Sequence, residues 1–229
     1  MIPQPDVMPI DRELWARQLN LSNFINSYYQ FRDIHACGIV NSILVIGPGQ
    51  GLDTTVFRWR GYQVTTFDID NTFNPDVIGS CHEMPMFRDS QFDVVIASHV
   101  IEHLPVPYLD LALTEFARVA KYSLIYLPVS GRTIHLRFNL GFLGIDWSII
   151  INLLPFWRKP DGVTPKYCLG QHFWEVGLRG FRVSQLLKRF SKEFDLIQSY
   201  RNRDWTPSHN FILRSRLLNS TPKIESIEP

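Results

Sequence analysis

The sequence predicts a doubly wound α/β fold, and three observations predict it. A continuous apolar, β-branched run at Ser42–Ile46 has the pattern of a strand buried on both faces of a parallel sheet, and further strands are read at Gln63–Asp68, Phe92–Ser98 and 122–127. Segments of helical periodicity separate them, which makes βαβ units. The first run ends directly in glycines, Gly47-Pro48-Gly49-Gln50-Gly51, and a helical pattern follows.

Taken in order, residues 11–34 place Leu14, Trp15, Leu19, Phe24, Ile25, Tyr28, Tyr29 and Phe31 at helical intervals, with Asp11 as N-cap. Leu52–Trp59 is a helix punctuated by Gly61, and 76–78 is a short strand. Val106–Val119 is a helix with Leu109, Leu113 and Phe116 inward, and Pro128 stops the strand after it. From 131 to 170 the alternation fails, in a segment rich in aromatics, prolines and arginines that reads as an insert or lid. A helix over 181–190 and strands near 195–200 and 210–214 complete a sheet of seven strands. The implied organisation is a helical cover (1–40), a nucleotide-binding core (41–130), an insert on the acceptor side (131–180), a helix and strands completing the sheet (181–216) and a flexible tail (217–229).

Composition removes other classes. With 229 residues, 45% hydrophobic and 20% charged, the chain is neither disordered nor collagen-like, and it buries a core without disulfide or metal staples. Cys37, Cys81 and Cys168 are widely spaced with no CxxC pair, and the N-terminus lacks a secretory pattern, so a cytoplasmic location is expected. The most apolar stretch, 143–157, is interrupted by Asp146, Ser148, Asn152 and Pro155 and falls short of the ~20 residues of a spanning helix. A net charge of +1 argues against a nucleic-acid-coating protein, and no nucleic acid is expected as partner.

The glycine loop carries the functional signal. Glycines between strand and helix allow positive φ and bring a ligand against bare backbone at the positive end of a helix dipole. Asp68, 17 residues beyond Gly51 at the end of the second strand, is placed to accept hydrogen bonds from ribose hydroxyls. A dinucleotide site wants a third small residue three positions after Gly49, where this chain has Leu52, so NAD is the weaker cofactor.

These residues resemble the class I S-adenosyl-L-methionine (SAM)-dependent methyltransferases, in particular the type 11 group. The likeness runs through ILVIGPGQG (43–51), VTTFDID (64–70), PDVIGSCHEMPMF (75–87), FDVVIASHVIEHLP (92–105) and EFARVAKYSLIYLP (115–128). It implies a Rossmann-like seven-stranded sheet with the last strand antiparallel. It also implies that Gly47, Pro48, Gly49 and Gly51 pass beneath the methionine part of SAM, that Asp68 holds the ribose and that Ile69 packs on adenine. Ser80 and Cys81 stand at the adenine positions, and Ala97, Ser98 and His99 line the methionine side. Two positions depart from the family: Val45 replaces an acid two residues before the first glycine, and Ser80 replaces the adenine acid. Asp70 and Asp76 are the compensating candidates if the loop brings them round. Beyond residue 128, the segment 172–177 is similar to methyltransferases of surface-glycan biosynthesis.

Methyl transfer from a sulfonium is an in-line displacement, and a base is needed only where the acceptor loses a proton, as a hydroxyl does. His103, His172 and Glu175 are the catalytic candidates; His172 and Glu175 share a face if helical. Two groups without a third do not make a metal site, so none is assigned. Trp147, Trp157, Phe173 and Trp174 suit stacking on sugars, and core packing equally. The 145–157 segment reads as a pocket cover, a homodimer contact, or a peripheral surface for lipid or a lipid-linked substrate with Arg158 and Lys159 at headgroup level. The expected function is methyl transfer to a hydroxyl of a small molecule, saccharide or glycolipid. A non-catalytic binding protein on the same fold and an NAD-dependent oxidoreductase are the alternatives. The charge is also unevenly divided. Residues 1–130 hold eight Lys+Arg against fourteen Asp+Glu (−6), whereas 131–216 hold fourteen against six (+8), which favours an acidic acceptor.

Overall fold

The computed structural model describes residues 20–153, 157–168 and 171–217. Asp11, Leu14, Trp15 and Leu19 of the expected N-terminal helices, Pro155 of the insert, and the tail beyond Leu217 lie outside the described residues. Nine strands are present among the described residues: β1 (Ser42–Ile46), β2 (Gln63–Asp68), β3 (Val77–Ile78), β4 (Phe92–Ser98), β5 (Ala120–Pro128), β6 (Arg132–Leu140), β7 (Ile145–Leu153), β8 (Phe194–Arg201) and β9 (Ser208–Ser215). Seven form one sheet in the order β3-β2-β1-β4-β5-β9-β8. β1 to β5 run parallel, and β9, the last strand, is antiparallel to both of its neighbours. Strand order reverses between β1 and β4, so the crevice for a ligand opens at their carboxyl ends.

The helices are α1 (Leu21–Asp33), α2 (Leu52–Trp59), α3 (Val106–Val119) and α4 (Val183–Phe190). α1 starts at Asn20, whose side chain accepts from the Asn23 amide while the Asn23 side chain accepts from the Asn20 amide, a reciprocal cap. On one side of the sheet Ile34, Val45, Phe57, Val94, Ile96 and Tyr126 pack together. On the other a larger cluster gathers Leu44, Phe67, Val95, Leu113, Phe116, Trp174 and Phe211. Burial on both faces is why β1, β4 and β5 read as unbroken apolar runs. α1 is tied down by Asp33, 3% exposed, which accepts from the Tyr126 hydroxyl at 2.8 Å and from the Tyr200 hydroxyl.

Over the insert the strand–helix alternation does fail, and the structure adds what the sequence reading did not specify: β6 and β7 form a separate antiparallel hairpin of nine residues each, joined through Gly141 to Gly144. One face pairs Ile134 with Ile151, Leu136 with Ile149, Phe138 with Trp147 and Leu140 with Ile145. That apolar face is the exposed one; Phe138 and Trp147 are 53% and 54% accessible. The polar face turns to the body, where Arg137 bridges Asp146 and Asp204 and Arg203 reaches Ser148. Among the described residues no helix is long and apolar enough to cross a membrane.

Candidate functional site

The glycine loop lies at the carboxyl end of β1. Gly47, Gly49 and Gly51 all have positive φ (64°, 50° and 72°). At Gly47 the requirement is also steric: a Cβ would lie 2.6 Å from Cγ2 of Val100, in the segment after β4. Gly47 N donates to Phe67 O and Gly51 N to Pro48 O, each at 2.9 Å, so the loop is closed internally and anchored to β2. Gly51 then enters α2 in the left-handed conformation. Burial pushes the carboxyl of Asp53, in the first turn of α2, up to about 6.

Asp68 ends β2 beside this loop. Burial raises its carboxyl, partly offset by the Asp70 amide, which donates to Oδ1 at 2.9 Å. Gly79 N donates to Asp68 O at 2.9 Å, which brings the Ser80–Cys81 turn alongside. Ser80 Oγ lies 2.6 Å from His82 Nδ1. Cys81 is buried and its thiol is pushed up to about 12, so it is no nucleophile at neutral pH. Ile69 is 37% exposed at the same rim. Ser98 Oγ accepts from Asn26 Nδ2 at 2.7 Å, which lays α1 across the crevice.

The two departures have structural accounts. Val45 is 2% exposed in the cluster with Phe57 and Ile34, so an acid there would be buried among hydrocarbon. Both compensating candidates are committed locally through one carboxyl oxygen. Asp76 Oδ2 is taken by the Thr66 amide and hydroxyl and by Arg58, and Asp70 Oδ1 caps the next turn through Thr72. Their short side chains are held by local turn chemistry instead.

Beyond β4 the chain builds a buried histidine–carboxylate cluster. His99 has φ 55°, and Ile101–His103 form one 3-10 turn. Glu102 is 0% exposed, and neither carboxyl oxygen has a hydrogen-bond partner among the described residues; burial pushes it up to about 8. Its Oε1 lies 3.6 Å from His99 Nδ1 and 4.0 Å from His172 Nε2. His172 Nδ1 faces Glu175 Oε1 at 2.8 Å, and His103 Nδ1 faces the Gln171 carbonyl at 3.1 Å. The His103 and His172 rings meet edge to face at 4.7 Å. Burial and the neighbouring His172 push His103 down to about 4, and burial pushes His99 down to about 3, so both are neutral at pH 7.

Two further expectations change here. His172 and Glu175 are not on a helix: they sit in a loop whose Phe173 amide donates to Glu102 O and whose Val176 amide donates to Pro128 O, and this pairing supplies the i, i+3 approach. Trp174 is no sugar platform, being 0% exposed and stacked on Phe181 at 4.8 Å. Glu102 was absent from the expected site, although its spacing from His99 and His103 was the available signal. The His99 ring packs at 4.9 Å from Trp205, which the sequence did not bring into the site.

A separate cavity of about 850 Å3 opens where β5, α4, β8 and the hairpin meet, lined in part by Val129, Leu153, Val176, Arg182, Arg201 and His209. Arg201 is its notable wall. Its Nη2 donates to Thr133 Oγ1 at 3.1 Å, its Nε is buried with no partner among the described residues, and burial alone pushes the guanidinium down to about 10. A half-buried cation with no ion-pair partner among the described residues is costly, and an anionic ligand would satisfy it.

Comparison with known proteins agrees with this geometry. A family model described as a methyltransferase domain, of the type 11 group, matches residues 44–123. No curated protein matches the chain. Among solved structures, a protein of Pyrococcus horikoshii OT3 is similar over 88% of this chain and 93% of its own, with TM-score 0.56 and 13% identity. The 1,6-didemethyltoxoflavin-N1-methyltransferase of Burkholderia thailandensis, solved with its substrate and S-adenosylhomocysteine, is similar over 92% of both chains (TM-score 0.51, 16% identity). A glycopeptide N-methyltransferase solved with S-adenosyl-L-homocysteine is similar over 83% of this chain and 89% of its own (TM-score 0.52, 14% identity). Residues 44–123 therefore match a methyltransferase-domain model, and the chain as a whole has the class I, Rossmann-like fold of the solved methyltransferases it is similar to.

Proposed function

We propose that the protein is a SAM-dependent methyltransferase acting on a hydroxyl of a saccharide or glycolipid that carries an acidic group. The observation that carries the cofactor reading is the glycine loop. Its three positive-φ glycines form a bare-backbone turn, packed at Gly47 against Val100 and with Asp68 beside it, inside the stretch that matches a methyltransferase domain. SAM would rest on Gly47, Pro48, Gly49 and Gly51 with its ribose at Asp68 and its adenine near Ile69, Ser80 and Cys81. Ser98 and His99 would border the methionine end. When bound, SAM supplies an electrophilic methyl on a sulfonium.

The chain's own residues do the rest. α1 closes over the crevice through Asn26 and excludes water. His172, oriented by Glu175 at Nδ1, offers Nε2 to take a proton from an acceptor hydroxyl, and His103 packs its ring in place. Arg201 supports an acidic acceptor. The hairpin supports a lipid-linked one: its apolar face, with Phe142 and Leu143 exposed at the tip, belongs to a half of the chain with charge +8, and Arg132, Arg158 and Lys159 stand at its base. An exposed apolar face bordered by these basic residues favours an anionic membrane surface as its occupant.

Titration calorimetry tests the cofactor reading. SAM and S-adenosylhomocysteine are expected to bind, and Asp68→Ala to weaken binding by about 1–3 kcal/mol, the magnitude for lost hydrogen bonds. Absence of binding would leave a non-catalytic protein on this fold. An unchanged affinity in Asp68→Ala would remove the ribose assignment.

A further inference from the structure

We infer that Glu102, His103 and His172, with His99 beside them, form a binding site for one divalent transition-metal cation such as Zn2+, Mn2+ or Co2+. A ligand atom from each of Glu102, His103 and His172 lies within 4.8 Å of the others. Metal–ligand bonds of ~2.0–2.2 Å place ligand atoms roughly 3–4 Å apart, so a small inward movement of side chains closes the site. Two imidazoles and a carboxylate are a recognised donor set for such ions, and they leave positions open for a further ligand.

Two observations independent of that proximity point to a cation. The first is Glu102, fully buried, with both oxygens lacking a hydrogen-bond partner among the described residues while imidazole nitrogens stand at 3.6 and 4.0 Å. Buried polar atoms are almost always paired, and a cation at this point would take the carboxylate electrons that nothing else takes. The second is the outer ring of contacts. A metal-bound histidine normally donates its other ring N–H to a carboxylate or a backbone carbonyl, which fixes the tautomer and leaves the lone pair free for the metal. Here His172 Nδ1 faces Glu175 Oε1 and His103 Nδ1 faces the Gln171 carbonyl, so Nε2 of each is the nitrogen left for coordination. His99 Nε2 is also buried without a partner. The outer contacts are in place before any ion arrives.

The site joins elements from distant parts of the chain. His99, Glu102 and His103 follow β4, and His172 comes from the loop held to Pro128 and Glu102 by backbone hydrogen bonds. A cation there sits at the carboxyl end of the sheet, where the proposed function places the acceptor. Its role, though not its existence, rests on that reading: it would hold and orient the acceptor oxygen, with His172 serving as ligand rather than as base.

The experiment uses the full chain without a histidine tag, stripped with chelator and reloaded with Zn2+, Mn2+ or Co2+, and reads bound metal by elemental analysis and the visible d–d absorption of the Co2+ form. One ion per chain is expected to survive gel filtration. Glu102→Gln is expected to abolish retention, and Glu175→Gln, which leaves the ligands intact, to weaken affinity by about 10–100-fold. Failure to retain any of the three ions would overturn the proposal, and so would retention unchanged in Glu102→Gln. Circular dichroism and urea unfolding of the same samples show that each variant is folded, and SAM calorimetry is run beside them. The calorimetry separates the two readings, because metal binding without SAM binding sinks the methyltransferase activity and leaves the metal site standing.

Discussion

The central strands β1, β4 and β5 are buried on both faces, whereas β6 and β7 present an apolar face to solvent and a polar face to their own protein. The first region is a core; the second is inside out. Apolar residues in β1 stabilise the monomer by leaving water on folding. Those in the hairpin remain wet, so they contribute little to folding and retain their driving force for a later contact. Apolar content therefore reports stability in the central sheet and interaction in the hairpin.

Three measurements sharpen that contrast. The largest effect is expected at Phe57, 0% exposed between α2 and the sheet: Phe57→Ala should cost about 3–5 kcal/mol in urea unfolding. A loss below 1 kcal/mol would deny the core its role. An intermediate effect comes from acid. Burial works against the Asp93 carboxylate, but Lys121 and the Asn41 and Ser42 amides outweigh it and hold the carboxyl at about 2. A folded-state value below the ordinary ~3.9 gives stability that is complete above that pH and lost as pH falls toward 2, about 2 kcal/mol in all. Asp93→Asn should flatten that part of the pH–stability profile, and a profile as steep as wild type would refute the assignment.

The smallest effect on folding should come from the hairpin. Phe138→Ser with Trp147→Ser removes a cross-strand pair at 5.6 Å and should change stability by under about 1 kcal/mol. The same change should abolish co-sedimentation with anionic phospholipid vesicles. Loss of a solution dimer instead, with no vesicle binding in the wild type, would make this face a contact between copies.

The same division governed what was legible in the sequence. β1 and β4 fall on their predicted residues because a two-sided burial environment demands a nearly continuous apolar run, and β2, less buried, is marked by its β-branched Val64, Thr65 and Thr66 and by Asp68 at its end. The hairpin was missed although Ile134, Leu136, Phe138 and Leu140 alternate with Thr133, His135, Arg137 and Asn139, and Gly144 supplies a left-handed turn. That alternation belongs to an element with no core to face, so it resembled irregular sequence. The histidine cluster was half legible. His99, Glu102 and His103 lie together in the chain, but His172 reaches them through hydrogen bonds from the 172–176 loop to Glu102 and Pro128, which no local pattern encodes.

The hairpin stands as its own two-stranded sheet, so each of its strands keeps one unpaired edge. Nine residues of open backbone at about 3.3 Å each give an edge close to 30 Å long, interrupted in β6 only by Arg132 and Arg137 and in β7 only by Asp146 among charged side chains. Such an edge is a template for another strand. Concentrated protein should therefore be lost by strand-to-strand accretion from the native state, at temperatures where the core is intact, and the yield of folded material will depend more on what covers this hairpin than on the melting temperature of the domain.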